Sequence, residues 1–224
     1  MAVFALSRRF SRKFSKTFNL LHAQTLKKDH DLDDLEMQVV RTKPEGLDAL
    51  CSKTKFSKKE LQVMYRGFKQ ECPTGIVNEE TFKEIYAHFF PQGDSSAYAH
   101  YVFNTFDQDH NGTINFEEFV KGLSVLARGT FDQKLLWAFS LYDVNGDGII
   151  TKDEMLDIVS AIYDMMGKFA EPTIDEHTAK EHVDRVFQRM DSNRDGVISI
   201  EEFMEICSKD DTVTKSMNMF DTVL

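Results

Sequence analysis

Three cysteines, Cys51, Cys72 and Cys207, are all the thiols in these 224 residues, and no two form a CxxC pair. That excludes a disulfide scaffold or a zinc ribbon and points to a reducing compartment. Long hydrophobic runs are also missing: no stretch of about 18 apolar residues offers a membrane span. There is no glycine-rich phosphate loop, GxSxG elbow or HExxH pair. The seven histidines are scattered, and His177 and His182 stand five apart, wrong for one helix face. These absences argue against catalysis. Basic charge is scarce: 27 Lys and Arg face 37 Asp and Glu, for a net −10. That balance argues against a nucleic-acid partner, since a grip on phosphates needs a basic face. What the chain does have is core material, with 42% hydrophobic and 12% aromatic residues. Its length suits one large domain or two small ones.

The charge is uneven. Residues 1–30 hold Arg8, Arg9, Arg12, Lys13, Lys16, Lys27 and Lys28 against a single acid, Asp29, for a net +6, which leaves −16 for residues 31–224. A polar, acidic stretch and then Lys43-Pro44-Glu45-Gly46 mark a boundary, so residues 1–36 read as a variable basic arm. Wound as a helix, Val3, Leu6, Phe10, Phe14, Phe18 and Leu21 cover one face and the basic residues another, a pattern that suits an anionic membrane surface. Ala2 gives no N-myristoylation site, so that attraction would be modest and salt-sensitive. Phosphate on Ser11 or Ser15, each in a basic context, would weaken it further. An Arg/Ser-rich, acid-poor arm also fits a transit signal or a disordered tail.

The body repeats. DQDHNGTINFEE from Asp107 to Glu118, DVNGDGIITKDE from Asp143 to Glu154 and DSNRDGVISIEE from Asp191 to Glu202 share Asp first, Gly sixth, Ile eighth and Glu twelfth. Helical apolar spacing flanks them. Tyr98, Val102 and Phe106 precede the first of these loops, and Phe119, Leu123 and Leu126 follow it. Leu136, Phe139 and Leu141 precede the next; Val183, Val186, Phe187 and Met190 precede the last. Each unit reads as helix–loop–helix.

Calcium chemistry explains the spacing. The ion is hard and takes six to eight oxygens at about 2.3–2.6 Å, which a tight loop supplies from alternate positions. The expected ligands are Asp107, Asp109, Asn111, the Thr113 carbonyl and Glu118. In the next loop they are Asp143, Asn145, Asp147, the Ile149 carbonyl and Glu154, and in the last Asp191, Asn193, Asp195, the Val197 carbonyl and Glu202. Gly112, Gly148 and Gly196 sit where each loop turns sharply. Ile114, Ile150 and Ile198 are placed to join loops through short β-bridges. Three filled loops leave little room for reading them as ordinary solvated turns. Magnesium also takes oxygen ligands and competes for such sites.

A degenerate copy lies upstream. QECPTGIVNEET, residues 70–81, starts with a neutral amide, has Cys72 third and Pro73 fourth, and ends in Thr81, which cannot chelate bidentately. A soft thiol suits calcium poorly. Its helices survive: Ser57 and Glu60 form a capping box, and Leu61, Met64, Tyr65 and Phe68 make an apolar stripe. This first hand reads as metal-free. Loop starts are 37, 36 and 48 residues apart, so a longer linker, around residues 168–180, separates the third and fourth hands. Four hands pair as two lobes, residues 37–130 and 131–224, in an all-α EF-hand fold.

The CPTG loop, ETFKEIYAHFFPQGD and RGTFDQKLLWAFSLYDVNGDGIITKDEMLDIVSAIYDMMG together resemble the neuronal calcium sensor family. RTKPEGLDALCSKTKFSKKELQVMYRGFK, residues 41–69, is similar to its voltage-gated potassium channel-interacting (KChIP) branch. That resemblance implies a cytosolic auxiliary subunit, peripheral at the plasma membrane. Such subunits hold the cytoplasmic N-terminus of A-type (Shal) channels in an apolar groove and alter gating and surface delivery. The complete loop at Asp107–Glu118 departs from the poorer second loop of vertebrate members. The alternative is a frequenin-like sensor regulating a kinase, cyclase or phosphatase, and a passive buffer is a third class. Nineteen Phe and ten Met supply adaptable contacts. Phe89-Phe90 and Met165-Met166 read first as core. Val213, Met217, Phe220 and Leu224 form a helical face, either plain packing or, as the family suggests, an internal occupant of the groove.

Deleting residues 2–30 is expected to reduce binding to anionic liposomes while leaving calcium binding intact. Unchanged liposome binding rejects the membrane reading of the arm.

Overall fold

A computed structural model describes residues 46–167, 176–211 and 213. The basic arm and most of the C-terminal apolar face (Met217, Phe220, Leu224) lie outside the described residues. In chain order the elements are α1 (Leu47–Lys53), α2 (Lys58–Glu71), β1 (Ile76–Asn78), α3 (Glu79–Phe89), α4 (Ser96–Phe106), β2 (Thr113–Asn115) and α5 (Phe116–Arg128). Then come α6 (Phe131–Tyr142), β3 (Ile149–Thr151), α7 (Lys152–Met166), α8 (Glu176–Met190), β4 (Val197–Ser199) and α9 (Ile200–Lys209). The described residues are thus all-α, with two short β-ribbons, and no described helix is long and apolar enough to cross a membrane. Because α8 starts at Glu176, the last five residues of the expected long linker are helix.

Six of the described helices begin where a side chain satisfies one of their free amide N–H groups; α1 and α4 start without such a bond. Ser57 and Glu60 form the expected capping box, and Asn115/Glu118, Thr130/Gln133, Thr151/Glu154 and Ser199/Glu202 repeat it. Each such cap contributes about 1 kcal/mol. Acidic Glu117 and Glu118 in the first turn of α5 and Arg128 in its last also match the helix dipole.

The loops pair as the β-branched eighth positions require. β1 and β2 are antiparallel with Val77 opposite Ile114, and β3 and β4 are antiparallel with Ile150 opposite Ile198. Ile114, Ile150 and Ile198 are fully buried, so each ribbon anchors its two loops to a core.

Two apolar clusters fill the molecule. The larger gathers α1–α5 around Leu50, Leu61, Phe68, Phe82, Tyr98 and Phe106, and extends into Trp137, Leu141, Ile158, Ile162 and Met165 of α6 and α7. The smaller holds Leu135, Ala138 and Phe139 with Ile150, Met155, Val183, Phe187, Ile198 and Phe203; Val213 packs against it. Helices α6 and α7 therefore face both clusters. This corrects one expectation: Leu136 does not turn inward with Phe139 and Leu141 but is 44% exposed. A helix buried on two sides has apolar residues nearly all round, and the simple stripe no longer says which one faces out. Phe90 and Met165 are core, as read, and Met166 packs on its edge.

The link between the α3–α4 connection and the end of α7 is backbone against backbone. The Asp94 amide donates to the Asp164 carbonyl at 3.0 Å. A Cβ on Gly93 would stand 2.1 Å from that carbonyl oxygen, and one on Gly167 would stand 2.2 Å from the Gln92 carbonyl oxygen. Gly167 also has φ +58°, which ends α7 in a conformation that side chains resist. Gly93→Ala is expected to cost roughly 1–3 kcal/mol, the usual range for overpacking, read as a lower unfolding midpoint in urea. An unchanged midpoint would show that the connection yields freely.

Candidate metal centres

Each of the three candidate loops is built by the same kinds of hydrogen bond. The first-position carboxylate accepts two backbone amides. Asp107 accepts from Asn111 at 3.1 Å and Gly112 at 2.8 Å, Asp143 from Asp147 at 3.1 Å and Gly148 at 3.0 Å, and Asp191 from Asp195 and Gly196, both at 3.1 Å. The fifth-position side chain accepts the seventh-position N–H: Asn111 from Thr113, Asp147 from Ile149, Asp195 from Val197. These bonds curl the loop inward and fix which oxygens face its centre.

The twelfth-position glutamates do two things at once. One oxygen of Glu118 accepts the Gln108 amide at 3.1 Å and the other the Asn115 amide at 3.0 Å. Glu154 bridges Asn145 and Thr151 in the same way, and Glu202 bridges Ser192, Asn193 and Ser199. Each glutamate thus spans its loop and caps its exit helix. The backbone hydrogen bond from Ser199, before all other causes, lowers the Glu202 carboxyl below the usual glutamate range.

The second loop has the most concentrated charge. Asp107, Asp109 and Glu118 each offer an oxygen within 4.8 Å of the others. Two oxygens on opposite sides of a calcium ion at about 2.4 Å would be about 4.8 Å apart, so the cluster fits within one coordination sphere. Asp107 is 4% and Glu118 6% exposed. Buried carboxylates crowded this closely repel each other unless a cation joins them. The third and fourth loops differ in one respect: the third-position amide donates to the fifth-position carboxylate, Asn145 to Asp147 at 3.0 Å and Asn193 to Asp195 at 2.9 Å. In the second loop the two residue types are exchanged, with Asp109 third and Asn111 fifth.

Two sets of positions escaped the sequence reading. The fourth residue of each candidate loop has positive φ: His110 at 53°, Gly146 at 72°, Arg194 at 62°. Only a glycine would have signalled this, and two of the three are not glycine. Asn115, Thr151 and Ser199, at the ninth positions, cap the exit helices. Their signal was present, since each stands three residues before a glutamate.

The fourth position also explains the first loop. Pro73 occupies it, and the pyrrolidine ring holds φ near −65°, so the curl of the other loops is barred. The Gly75 amide donates to the Cys72 carbonyl at 2.9 Å instead of to a first-position carboxylate. Burial pushes the Cys72 thiol up to about 11, which keeps it protonated and without use to a hard cation.

Glu118→Gln, Glu154→Gln and Glu202→Gln are each expected to remove one calcium from a titration in which the parent binds three. A stoichiometry unchanged by Glu154→Gln would sink the assignment of the third loop.

Comparison with known protein families matches residues 99–126 to the EF hand domain and residues 132–208 to the EF-hand domain pair. The first stretch frames the loop at Asp107–Glu118, and the second contains the loops at Asp143–Glu154 and Asp191–Glu202. Over these residues the chain carries EF-hand calcium-binding domains.

Proposed function

We propose that the chain is a calcium sensor serving as an auxiliary subunit of A-type (Shal) voltage-gated potassium channels. It takes up the channel's cytoplasmic N-terminus and is peripheral at the plasma membrane, where residues 1–30 add contact with anionic lipid. The sensor reading rests on one observation: three loops with complete ligand sets stand on helices that share cores, so a change in a loop is carried into packing. The capping glutamates Glu118, Glu154 and Glu202 are the links, and Leu123, Leu126, Ile158, Ile162 and Phe203 are the core residues their helices bear. A divalent ion supplies the positive charge that gathers the loop carboxylates, and magnesium competes for the same oxygens. The channel reading is supported by residues 41–69, the stretch similar to the KChIP branch. Within it, α1 lies outside the four hands and buries Leu50 in the larger core.

Calorimetry of the full chain against a Shal-type channel N-terminal peptide, with calcium and with chelator, tests it. Saturable binding is expected, and the difference between the two conditions gives the calcium coupling. No binding in either condition rejects the channel reading and leaves the enzyme-regulating sensor.

A further inference from the structure

Helix α5 is held along its whole length by a segment from outside its own hand. At its first turn Lys53 pairs with Glu117 at 3.3 Å. At its middle the Lys55 amide donates to the Ser124 hydroxyl oxygen at 2.8 Å. At its last turn the Arg128 guanidinium donates to the Lys55 carbonyl at 2.7 Å, grips both oxygens of Glu60, one of them at 3.2 Å, and lies 4.7 Å from the centre of the Phe56 ring. The partners in the hydrogen bonds and ion pairs are 64 to 73 residues apart in sequence. The same segment reaches the next hand, where Lys55 donates to Gln133 in the first turn of α6 at 3.3 Å.

Helix α5 is also the lever of the second loop. Glu118 is in its first turn and Arg128 ends it, ten residues or about 15 Å away. Turning such a lever by about 10° moves one end by roughly 2.5 Å relative to the other, the length of one calcium–oxygen bond. The grip on α5 and the convergence of Asp107, Asp109 and Glu118 occur in one and the same conformation.

We infer that residues 53–60 are a clasp that holds α5 in the pose where the second loop can take calcium, with Ser124, Arg128 and Glu60 as positioning residues. This rests on the reading of that loop as a calcium site. Arg128, as hydrogen-bond donor, lowers the Glu60 carboxyl to about 2, so the pair is charged throughout the neutral range. Linkage makes the effect reciprocal: what the clasp adds to calcium affinity, calcium adds to the clasp. The clasp runs from the last residue of α1 into the first turn of α2, so the second loop reports to the N-terminal side of the fold as well as to its own core.

The test uses the full chain with Glu154→Gln and Glu202→Gln, which leaves the second loop alone to titrate. Into this parent go Ser124→Ala or, separately, Glu60→Gln, which removes the charge but keeps a residue type that completes the capping box. Each is expected to weaken calcium binding roughly three- to tenfold, while the melting temperature in chelator changes little. Hydrogen exchange of the Lys55 amide should slow when calcium is added to the parent, and should not respond when Glu118→Gln is added. Unchanged affinity in both variants overturns the inference. So does a Lys55 amide indifferent to calcium, or a loss of affinity matched by an equal loss of stability in chelator. A parent that takes up no calcium removes the loop assignment itself, and the clasp with it.

Discussion

A carboxylate that serves two masters governs this fold. Glu118, Glu154 and Glu202 accept backbone hydrogen bonds from the start of a loop and from the cap of the helix that follows it. A loop that only bound an ion would need no such bond to its helix, and a helix that only needed a cap would not reach across the loop. Joining the two makes the position of a helix depend on what the loop holds. Helix orientation in turn decides how the apolar faces of α5, α7 and α9 meet the cores.

The EF-hand stretches were legible from residue types because coordination chemistry is local. Twelve residues with oxygens at alternate positions say which ion class fits, whatever surrounds them. Pairing was legible too, because a β-branched eighth residue in every loop, Val77 included, has an edge to satisfy and a core to enter. The backbone was harder to read. His110 and Arg194 adopt positive φ because the first-position carboxylate draws the next amides inward, and nothing in a histidine or an arginine announces that. Leu136 escaped for a tertiary reason: α6 faces two clusters, so its exposed position follows from the neighbours on both sides and not from its own period.

Those two clusters limit how independently the paired hands act. Trp137, Leu141, Ile158, Ile162 and Met165 belong to the third hand by sequence but to the first cluster by packing. The backbone contact of Gln92–Asp94 with Asp164–Gly167 adds a rigid stop at one end of α7. A rotation of α7 that follows a change at Glu154 cannot be absorbed by a flexible connection there. It moves the α3–α4 connection or it strains the joint. The first cluster and the third hand are therefore joined by close-packed side chains and backbone, a medium in which small displacements pass from one layer to the next.

The first hand then acquires a role that its empty chemistry would not suggest. Pro73 fixes one backbone angle of its loop, Cys72 is held protonated, and the first position carries no carboxylate. Yet Val77 still pairs with Ile114, and Phe68 still packs against Phe116 and Phe119 of α5. The two ribbons are thus unequal in loop chemistry: β3–β4 joins two loops that begin with Asp and end with Glu, whereas β1–β2 joins one such loop to one that begins with Gln70 and ends with Thr81.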